Sequence, residues 1–433
     1  MNIVRPSTIA GVMELLPEDQ LVFDKMKNII EETYKKYQFL PIDTPVIEKN
    51  EILFAKGGGE TEKQIYEIAS DTRDMSLRFD LTVPLARYVA EHFSDLNFPF
   101  KRYHIGKVYR GERNQKGRYR EFYQCDIDII GHNKLAIEND AIPPRVIYEI
   151  FQKLDTPDVS FRINNRKLLN GFFESLGIDD TTEVLRLIDK KDKMGLENMK
   201  EDLVKLLDEK RAEKIASFIE AANSNQETLE KFAGLVENDL YEEGLKELGT
   251  VYKYMIKLGI PDKNIKLDPS ITRGLDYYTG TVYETFINGY EKIGSVSSGG
   301  RYEKLADNFT KQALPGVGMS IGLTRLFYQL KEIGLVDKKE ENLTEILIIP
   351  MSEEENFYAI DILNILHDKG KNADIYLEGG KLKKKFSYAD KIGVKYAYII
   401  GGEERENKTI TVRNMKTGEQ ESIDFDSLDR VCK

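Results

Sequence analysis

The chain is poor in the residues that build metal centres and covalent cross-links. Its 433 residues include two cysteines, four histidines and no tryptophan. The cysteines, Cys125 and Cys432, give no disulfide framework and suit a reducing compartment. The histidines are scattered, with no pair one helical turn apart and no cysteine at ligand spacing, so no structural metal site is expected.

Long apolar runs and the common nucleotide-binding loops are also missing. No apolar run approaches the ~20 residues of a membrane span, and the start, MNIVRPSTIAG, lacks the apolar core of a signal peptide. We therefore expect a cytoplasmic protein with no membrane partner. Neither GxGxxG nor the Walker loop occurs, which disfavours a generic α/β nucleotide-binding enzyme.

Positive charge is scarce overall but concentrated locally. The net charge is −11 at pH 7, which argues against a chain that coats nucleic acid over its whole surface. Residues 109–124, YRGERNQKGRYREFYQ, nevertheless carry four arginines and one lysine against two glutamates. Such a run is ordinarily a solvated hairpin. Arginine, however, also makes forked contacts to phosphate, so an anion-binding role stays open.

Two strands are predicted on either side of this loop, at 101–110 and 118–130. One face of the second strand is mostly apolar and is predicted to face the core, since side chains alternate along a strand. The other face is polar over ten residues, so it must face either water or a polar site. That face carries Arg118, Arg120, Phe122, Gln124, Asp126 and Asp128.

The first half of the chain contains further predictable elements. A long helix is expected after Pro17, and the two prolines of 39–48 favour an edge strand. Residues 64–80 alternate around a turn and are expected to form a hairpin. A helix then begins with Thr82 as its N-cap, which places the Asp80 carboxylate beside a helix N-terminus.

The second half changes character twice. Residues 165–262 are rich in Glu, Lys and Leu and predict a helical insertion. The charged run 336–343 is expected to be a linker. Strand and helix patterns then alternate over 344–433, which predicts a compact α/β domain with a mainly parallel sheet.

Three further stretches could carry chemistry or could be structural. TRGLDYYTGTVYE (272–284) is either a turn whose tyrosines fill the core or a polar site. The double glycine of SSGGRYEKLA (297–306) allows close backbone approach to a ligand but is weak evidence alone. In GVGMSIGLTRLF (316–327), Arg325 lies on an otherwise apolar helix face, where a structural salt bridge is the alternative.

Together these stretches combine cations suited to a triphosphate with carboxylates suited to an ammonium group. They therefore suggest a site that holds ATP beside an amino acid. The residues concerned are Arg110, Arg118, Arg273, Arg325, Asp80 and Asp128.

The same stretches resemble motifs of a known enzyme class. Residues 109–124 resemble motif 2 of class II aminoacyl-tRNA synthetases, 316–327 resemble motif 3, and the segment around Pro45 resembles motif 1. TRGLDYYTGTVYE and SSGGRYEKL are similar to the two signature segments of the histidyl-tRNA synthetase family. The C-terminal pattern is similar to that family's anticodon-binding domain. The resemblance covers essentially the whole chain in the family's order.

The resemblance implies an α+β fold and a two-step reaction. It implies a catalytic domain over 1–335, with a six-stranded antiparallel sheet flanked by helices, and an anticodon-binding α/β domain over 344–433. It implies a homodimer. It also implies that histidine and ATP, with Mg²⁺, react to histidyl-adenylate and pyrophosphate before histidine is transferred to the 3′ end of histidine tRNA.

The resemblance further implies roles for individual residues. Arg273 and Arg110 would be catalytic, and no metal ligands are implied. Histidine would be bound by Asp80, Leu81, Thr82, Gln124, Asp128, Tyr277, Tyr278 and Tyr302. ATP would be bound by Arg110, Glu112, Arg118 and Arg325, and tRNA by Gln115, Arg120, Lys383 and Lys384.

One alternative within the resemblance is not an enzyme. A synthetase-like paralogue serves as the regulatory subunit of ATP phosphoribosyltransferase in histidine biosynthesis, but that group lacks the anticodon domain expected here. Two departures from the family pattern also stand out. Asp80 and Asp128 replace glutamates common in bacterial members, and Asn114 replaces a proline common in the motif 2 loop.

Overall fold

The computed structural model describes residues 3–55, 62–111, 117, 119–220, 222–272, 277–336 and 343–425. Two compact units make up this part of the chain. The larger lies within residues 1–336, and the smaller lies within 337–433 together with Leu16–Val22.

The larger unit is built on an eight-stranded sheet. Its spatial order is β1-β4-β5-β10-β9-β8-β6-β7. Six strands, from β4 to β6 in that order, pair antiparallel, and the short β1 and β7 add a parallel strand at each edge. The strands are β1 Leu40–Pro41, β4 Phe100–Tyr109, β5 Glu121–Ile130, β6 Val159–Asn165, β7 Ile265–Leu267, β8 Tyr278–Ile287, β9 Ser297–Tyr302 and β10 Gly316–Gly322.

Helices flank this sheet and fill the predicted insertion. The flanking helices are α1 Pro17–Lys36, α2 Asn50–Leu53, α3 Thr82–Glu91, α4 Ile142–Lys153 and α12 Leu323–Glu332. The insertion contains α5 Arg166–Ser175, α6 Thr182–Asp189, α7 Lys191–Met194, α8 Leu196–Leu206, α9 Glu209–Ile219, α10 Asn225–Phe232 and α11 Asp239–Lys257. The α+β class predicted from the sequence is confirmed, including the six-stranded antiparallel sheet.

The long helix α1 shows how apolar spacing fixes the packing of one element. Phe23, Met26, Ile30 and Tyr34 recur at three- and four-residue intervals and are all buried. The Tyr34 hydroxyl donates to the backbone carbonyl of Cys125 at 2.9 Å, which satisfies its polar end. The apolar face of β5 therefore packs under α1, which leaves the polar face of β5 for the opposite side of the sheet.

One local prediction holds only in part. In the hairpin expected at 64–80, Glu67 and Ser76 form an isolated antiparallel bridge, and backbone hydrogen bonds run from Ile68 to Met75 at 3.0 Å and from Leu77 to Tyr66 at 2.9 Å. The strand β3 Met75–Leu77 also pairs along its length with β2 Ile47–Lys49, which the sequence did not predict. Residues 39–48 do supply the edge strand β1, as their prolines predict.

The smaller unit is an α/β domain with a mixed five-stranded sheet. Its order is β12-β11-β13-β14-β15, and the first two pairs are parallel while the last two are antiparallel. The expectation of a mainly parallel sheet therefore holds for only half of the strand pairs. The elements are β11 Ile346–Pro350, α13 Asn356–Asp368, β12 Ala373–Ile375, α14 Leu382–Ile392, β13 Tyr396–Ile400, α15 Gly402–Asn407, β14 Thr409–Asn414 and β15 Gln420–Asp424.

None of the helices in the described ranges combines the length and apolar character needed to cross a bilayer.

Candidate active site

The polar face of β5 is buried at Asp126 and Asp128, whereas Arg120, Phe122 and Gln124 on the same face are half-buried. Asp126 and Asp128 are each only 4% exposed. In the sheet, Asp126 lies opposite Ser320 of β10, and Asp128 lies opposite Arg102 of β4. The sequence left open whether this face meets water or a polar site, and the structure decides for the polar site.

Asp128 forms a buried ion pair with Arg102 of β4. Arg102 is fully buried, and its Nη2 lies 2.5 Å from Oδ2 of Asp128. The other carboxylate oxygen of Asp128, Oδ1, accepts a hydrogen bond from the Tyr302 hydroxyl at 2.8 Å. Burial raises the pKa of Asp128 to about 6, and Arg102 and Tyr302 oppose that rise. Both oxygens of Asp128 are thus engaged by the protein itself.

Asp126 has a different set of neighbours. Ser320 hydrogen bonds its carboxyl group, and the Ser320 hydroxyl oxygen accepts from Gln124 Nε2 at 3.0 Å. Burial raises the pKa of Asp126 to about 7, while Arg102 opposes the rise. Its Oδ1 has no hydrogen-bond partner among the described residues.

A glycine makes room for these carboxylates. Gly318 lies opposite Asp128 in the sheet, and a Cβ atom at this position would lie 2.1 Å from Asp128 Oδ1. Any larger residue would therefore displace the carboxylate. The close approach of the Asp128 side chain therefore explains why the GVGMSIG stretch has a glycine at position 318.

Asp80 occupies the N-terminus of α3. Its Oδ1 accepts from the backbone N–H groups of Thr82 and Val83 at 3.1 and 3.0 Å. Asp80 therefore caps the helix, and the expected capping role of Thr82 is wrong because Thr82 is already the first helical residue. Leu81 is fully buried and its side chain belongs to the core.

Three tyrosines pack against one another beside the carboxylates. Tyr277 meets Tyr278 edge to face with ring centroids 4.9 Å apart, and Tyr302 at 6.1 Å. Burial raises the pKa of all three hydroxyls above the usual value. They therefore stay neutral at physiological pH, and Tyr277 and Tyr278 contribute aromatic surface with a polar hydroxyl group to the cavity.

Arg110 follows directly after β4 and is held from several sides. Its guanidinium stacks on the rings of Phe79 and Phe122, with centroids at 4.4 and 5.0 Å. Its Nε donates to the Phe79 carbonyl at 3.2 Å, and its Nη2 lies 3.5 Å from Gln124 Oε1. The stacking fixes the plane of the guanidinium without consuming its charge.

Arg325 is placed differently from the sequence-based expectation of a buried cation. It is exposed and donates to the Ile293 carbonyl at 3.1 Å. The periodicity of α12 alone suggested an apolar face, but the position lies on the first turn of the helix, where the face opens toward a cavity.

That cavity unites most of the described candidates. It has a volume of about 490 Å³. The candidates that line it are Asp80, Thr82, Arg110, Gln124, Tyr277, Tyr278 and Arg325, and further lining residues include Asp126, Glu284, Ser297 and Ser320. Asp128 and Tyr302 lie buried beside it and contact each other. Cations and carboxylates thus line a single cavity, which suits a ligand that carries both an ammonium group and phosphates.

The remaining candidates fall into two groups. Glu112, Gln115, Arg118 and Arg273 lie outside the described residues. Arg120 donates to the Ala10 carbonyl at 3.3 Å and packs on Gly11, so it holds the N-terminal segment. Lys383 and Lys384 are exposed on α14 of the smaller unit.

Comparison with known families agrees with this geometry. A profile described as histidyl-tRNA synthetase matches residues 11–326, and a profile described as anticodon binding domain matches residues 345–433. The chain belongs to the histidyl-tRNA synthetase family. The family inferred from the motifs is therefore confirmed.

Individual members of the histidyl-tRNA synthetase family match over their full lengths. Histidine–tRNA ligase of Clostridium tetani is 52% identical over 435 residues, which cover 100% of this chain and 99% of the relative. That of Finegoldia magna is 53% identical over 427 residues, 98% and 99% of the two chains. The crystal structure of histidyl-tRNA synthetase from Nostoc superposes with a TM-score of 0.90 at 37% identity and covers 99% of each chain.

Two residues at the site were not singled out from the sequence. Arg102 is a cation in a strand that is otherwise mostly buried, and its register opposite Asp128 becomes apparent only once β4 and β5 are paired. Asp126 was assigned to the polar face of β5 but not to the site. For Asp126 the signal was its place on the polar face of β5. In β4 the adjacent charges of Lys101 and Arg102, followed by Lys107, break any simple alternation, so no pattern singled out Arg102.

Proposed function

We propose that the protein is a histidine–tRNA ligase. It activates L-histidine with ATP to histidyl-adenylate and pyrophosphate, and then transfers histidine to the 3′ end of histidine tRNA. The observation that carries this proposal is the single cavity in which Asp80, Gln124 and Tyr278 lie with Arg110 and Arg325. The full-length identity to named histidine–tRNA ligases supports it.

The described residues divide the substrates between two sides of the cavity. Asp80, Thr82 and Gln124 hold the ammonium group of histidine. Tyr277 and Tyr278, with Asp128 and Tyr302 beside them, surround the imidazole. A polar pocket of this kind discriminates strongly, because a wrong side chain leaves buried groups unpaired. Leu81 contributes only through its backbone.

The arginines bind ATP and stabilise the charge that develops during activation. Arg110, fixed by its two phenylalanines, meets the α-phosphate, and Arg325 meets the distal phosphates at the exposed side of the cavity. The family motifs assign Glu112 to adenine, Arg118 to phosphate, and Arg273 to the α-phosphate in the transition state. Histidine's carboxylate is the nucleophile, so the side chains supply position and charge rather than covalent chemistry.

Mg²⁺ fits this site as a companion of ATP. Glu284 supplies carboxylate oxygens at the cavity that are not assigned to histidine, but no group of three or more potential ligands in the described ranges is arranged to hold a metal. Mg²⁺ commonly binds through one or two carboxylates together with substrate phosphates. It would neutralise phosphate charge when bound with ATP.

The remaining assignments extend the proposal to the whole chain. We assign residues 1–335 to catalysis, 336–343 to a linker and 344–433 to anticodon binding. The protein acts as a homodimer in the cytoplasm. The residues assigned to tRNA binding are Gln115, Arg120, Lys383 and Lys384.

The alternative of a non-catalytic regulatory subunit has weaker support. A Bacillus halodurans structure titled as an ATP phosphoribosyltransferase regulatory subunit/histidyl-tRNA synthetase matches with a TM-score of 0.75 but only 19% identity, which shows a shared fold alone. The present chain also retains the domain matched by the anticodon-binding profile.

Amino-acid-dependent exchange of labelled pyrophosphate into ATP tests the proposal. We expect exchange with L-histidine and not with the other standard amino acids, followed by charging of histidine tRNA. Purified protein that binds histidine but supports neither reaction would favour the regulatory alternative and refute the ligase.

A further inference from the structure

Asp126 and Asp128 lie on the same face of β5 but differ in their hydrogen-bond partners. The described residues pair both carboxylate oxygens of Asp128 and leave one oxygen of Asp126 without a donor. Asp128 gives Oδ1 to Tyr302 and Oδ2 to Arg102. Asp126 lines the cavity, and its Oδ1 has no hydrogen-bond partner among the described residues. Both are equally buried, so the difference lies in their partners rather than in solvent access.

We propose that Asp126 is a specificity-determining residue that accepts a hydrogen bond from an imidazole N–H of bound histidine. The inference rests on the proposed function and adds to it a residue to which the family resemblance gives no role. Asp128, whose two oxygens contact Tyr302 and Arg102, keeps its place beside the imidazole and also positions these two side chains.

The energetic argument starts from the unpaired oxygen. A buried acceptor without a donor carries a desolvation cost that no hydrogen bond offsets, and a buried charge costs more. Arg102 lowers this cost by its positive charge, as its effect on the pKa of Asp126 shows. A ligand that brings its own N–H removes the remaining cost, so the site is complete only when that ligand is bound.

The position of Asp126 selects the imidazole over the ammonium group. Asp80 lies at the N-terminus of α3 and Gln124 lies two residues before Asp126, and both are assigned to the ammonium. Asp126 also shares the cavity with Tyr277 and Tyr278, whose rings contact each other edge to face. An imidazole ring that packs against these aromatic side chains keeps its polar N–H edge free to pair with a carboxylate.

The hydrogen bond from Ser320 fixes the carboxyl group in this position. Ser320 accepts from Gln124 at 3.0 Å and donates to Asp126, so one chain of hydrogen bonds joins the ammonium side to the imidazole side. A change at Asp126 should therefore affect histidine and leave ATP binding unaltered.

The test compares Asp126→Ala with the wild type in histidine-dependent pyrophosphate exchange. Two amino acids are used: L-histidine, and thiazolylalanine, whose ring resembles imidazole in size but has no N–H. We expect Asp126→Ala to raise the KM for histidine about 10- to 100-fold, with the KM for ATP unchanged. The preference of the wild type for histidine over thiazolylalanine should fall by a similar factor.

Asp126→Asn supplies a second variant that preserves volume. Its amide keeps an oxygen acceptor but loses the charge, so we expect an intermediate rise in the KM for histidine and an unfolding transition close to that of the wild type. If Asp126→Ala does not fold, this variant alone decides.

Three results separate the possible interpretations. An unchanged histidine KM in either folded variant would overturn the proposal. An equal loss for histidine and thiazolylalanine would also overturn it, because a purely structural role affects both rings alike. Absence of exchange in the wild type would instead refute the ligase function itself.

Discussion

Arg102 is the residue on which the charge balance of the site depends. It is fully buried, contacts Asp128 directly and lowers the pKa of Asp126. One guanidinium thus acts on two carboxylates. Among the described residues, Arg102 is the cation that lowers the pKa of both Asp126 and Asp128. The local geometry therefore predicts a large effect when this one charge is removed.

We expect Arg102→Met to lower the free energy of unfolding by about 3–5 kcal/mol, because it leaves a buried carboxylate without its partner. The matched control is Lys107→Met on the same strand. Lys107 pairs with Glu121 at 2.8 Å but is 41% exposed, so its loss should cost at most about 1 kcal/mol. Urea unfolding monitored by circular dichroism measures both, and equal effects would contradict the argument.

His104 lies two residues after Arg102 on the same strand, and its surroundings disfavour its protonated form. It is 1% exposed, and burial together with Arg102 and Arg78 lowers its pKa to about 3. Its Nε2 pairs with Asp43 Oδ1 at 3.0 Å, which a neutral ring satisfies by donating. In the unfolded chain the same ring titrates near 6.5.

The consequence is a loss of stability on acidification. Between pH 6.5 and 3 the His104 ring is protonated in the unfolded chain but neutral in the folded chain. The contribution of His104 to the free energy of unfolding is therefore complete above pH 6.5 and decreases below it. From pH 7.5 to 5 we expect the wild type to lose about 2 kcal/mol more than His104→Gln. Asp126 and Asp128, whose pKa values are raised in the folded chain, add stability over the same pH range as the solution becomes more acidic. Both proteins share this effect, so the test compares the wild type with His104→Gln at each pH. Parallel pH profiles would refute it.

At the scale of a single element, the N-terminus of α3 gives one side chain, Asp80, both a structural and a proposed functional role. Asp80 caps the helix and also lines the cavity. Asp80→Asn keeps the capping oxygen and removes the charge, whereas Asp80→Ala removes both. We expect both variants to raise the KM for histidine about 10-fold or more, because a hydrogen bond to a charged group is lost.

Only the alanine variant should lose the cap, at a cost of about 1 kcal/mol. Thermal melting compared with exchange kinetics separates the two roles. An asparagine variant with an unaltered KM for histidine would show that Asp80 is a cap and nothing more.

The strand β10 depends on a glycine for a different reason. A Cβ at Gly318 would lie 2.1 Å from Asp128 Oδ1. We expect Gly318→Ala to destabilise the fold by about 1–3 kcal/mol and to reduce histidine-dependent exchange. The control is Gly249→Ala in α11, where the nearest atom lies at 3.9 Å and alanine should stabilise by up to about 1 kcal/mol. Equal melting temperatures for both variants would contradict the close-approach argument.

The elements also show what a sequence can and cannot predict. Period-two alternation identified β4 and β5 and the buried face of β5, because that signal is local. Partner choice is not local, and for that reason the pairing of β3 with β2 was not predicted. The distinct roles of Asp126 and Asp128 depend on what β10 and β9 place opposite them, Ser320 in one case and Gly318 with Tyr302 in the other, and no pattern within β5 carries that information.

At the scale of the whole molecule, an acidic chain must bind three anionic partners: ATP, pyrophosphate and tRNA. The net charge of −11 opposes this, so attraction must come from local groups of cations. Arg110 and Arg325 supply such a group at the cavity. In the smaller unit, Lys383 and Lys384 are exposed on α14 and are the cations that we propose to bind tRNA, whereas Lys385 is buried and donates to the Pro350 carbonyl at 2.6 Å.

This division predicts that activation and charging can be separated. The double variant Lys383→Glu with Lys384→Glu should leave histidine-dependent pyrophosphate exchange unchanged, because that reaction involves no tRNA. Its KM for histidine tRNA should rise, and the salt dependence of tRNA binding should become shallower, by roughly one unit of slope for each phosphate that no longer binds a lysine. The control reverses Lys369 and Lys416, two exposed lysines elsewhere in the same unit, and makes the same change in net charge. If both double variants weaken tRNA binding equally, the effect is one of total charge, and α14 has no specific role in binding tRNA.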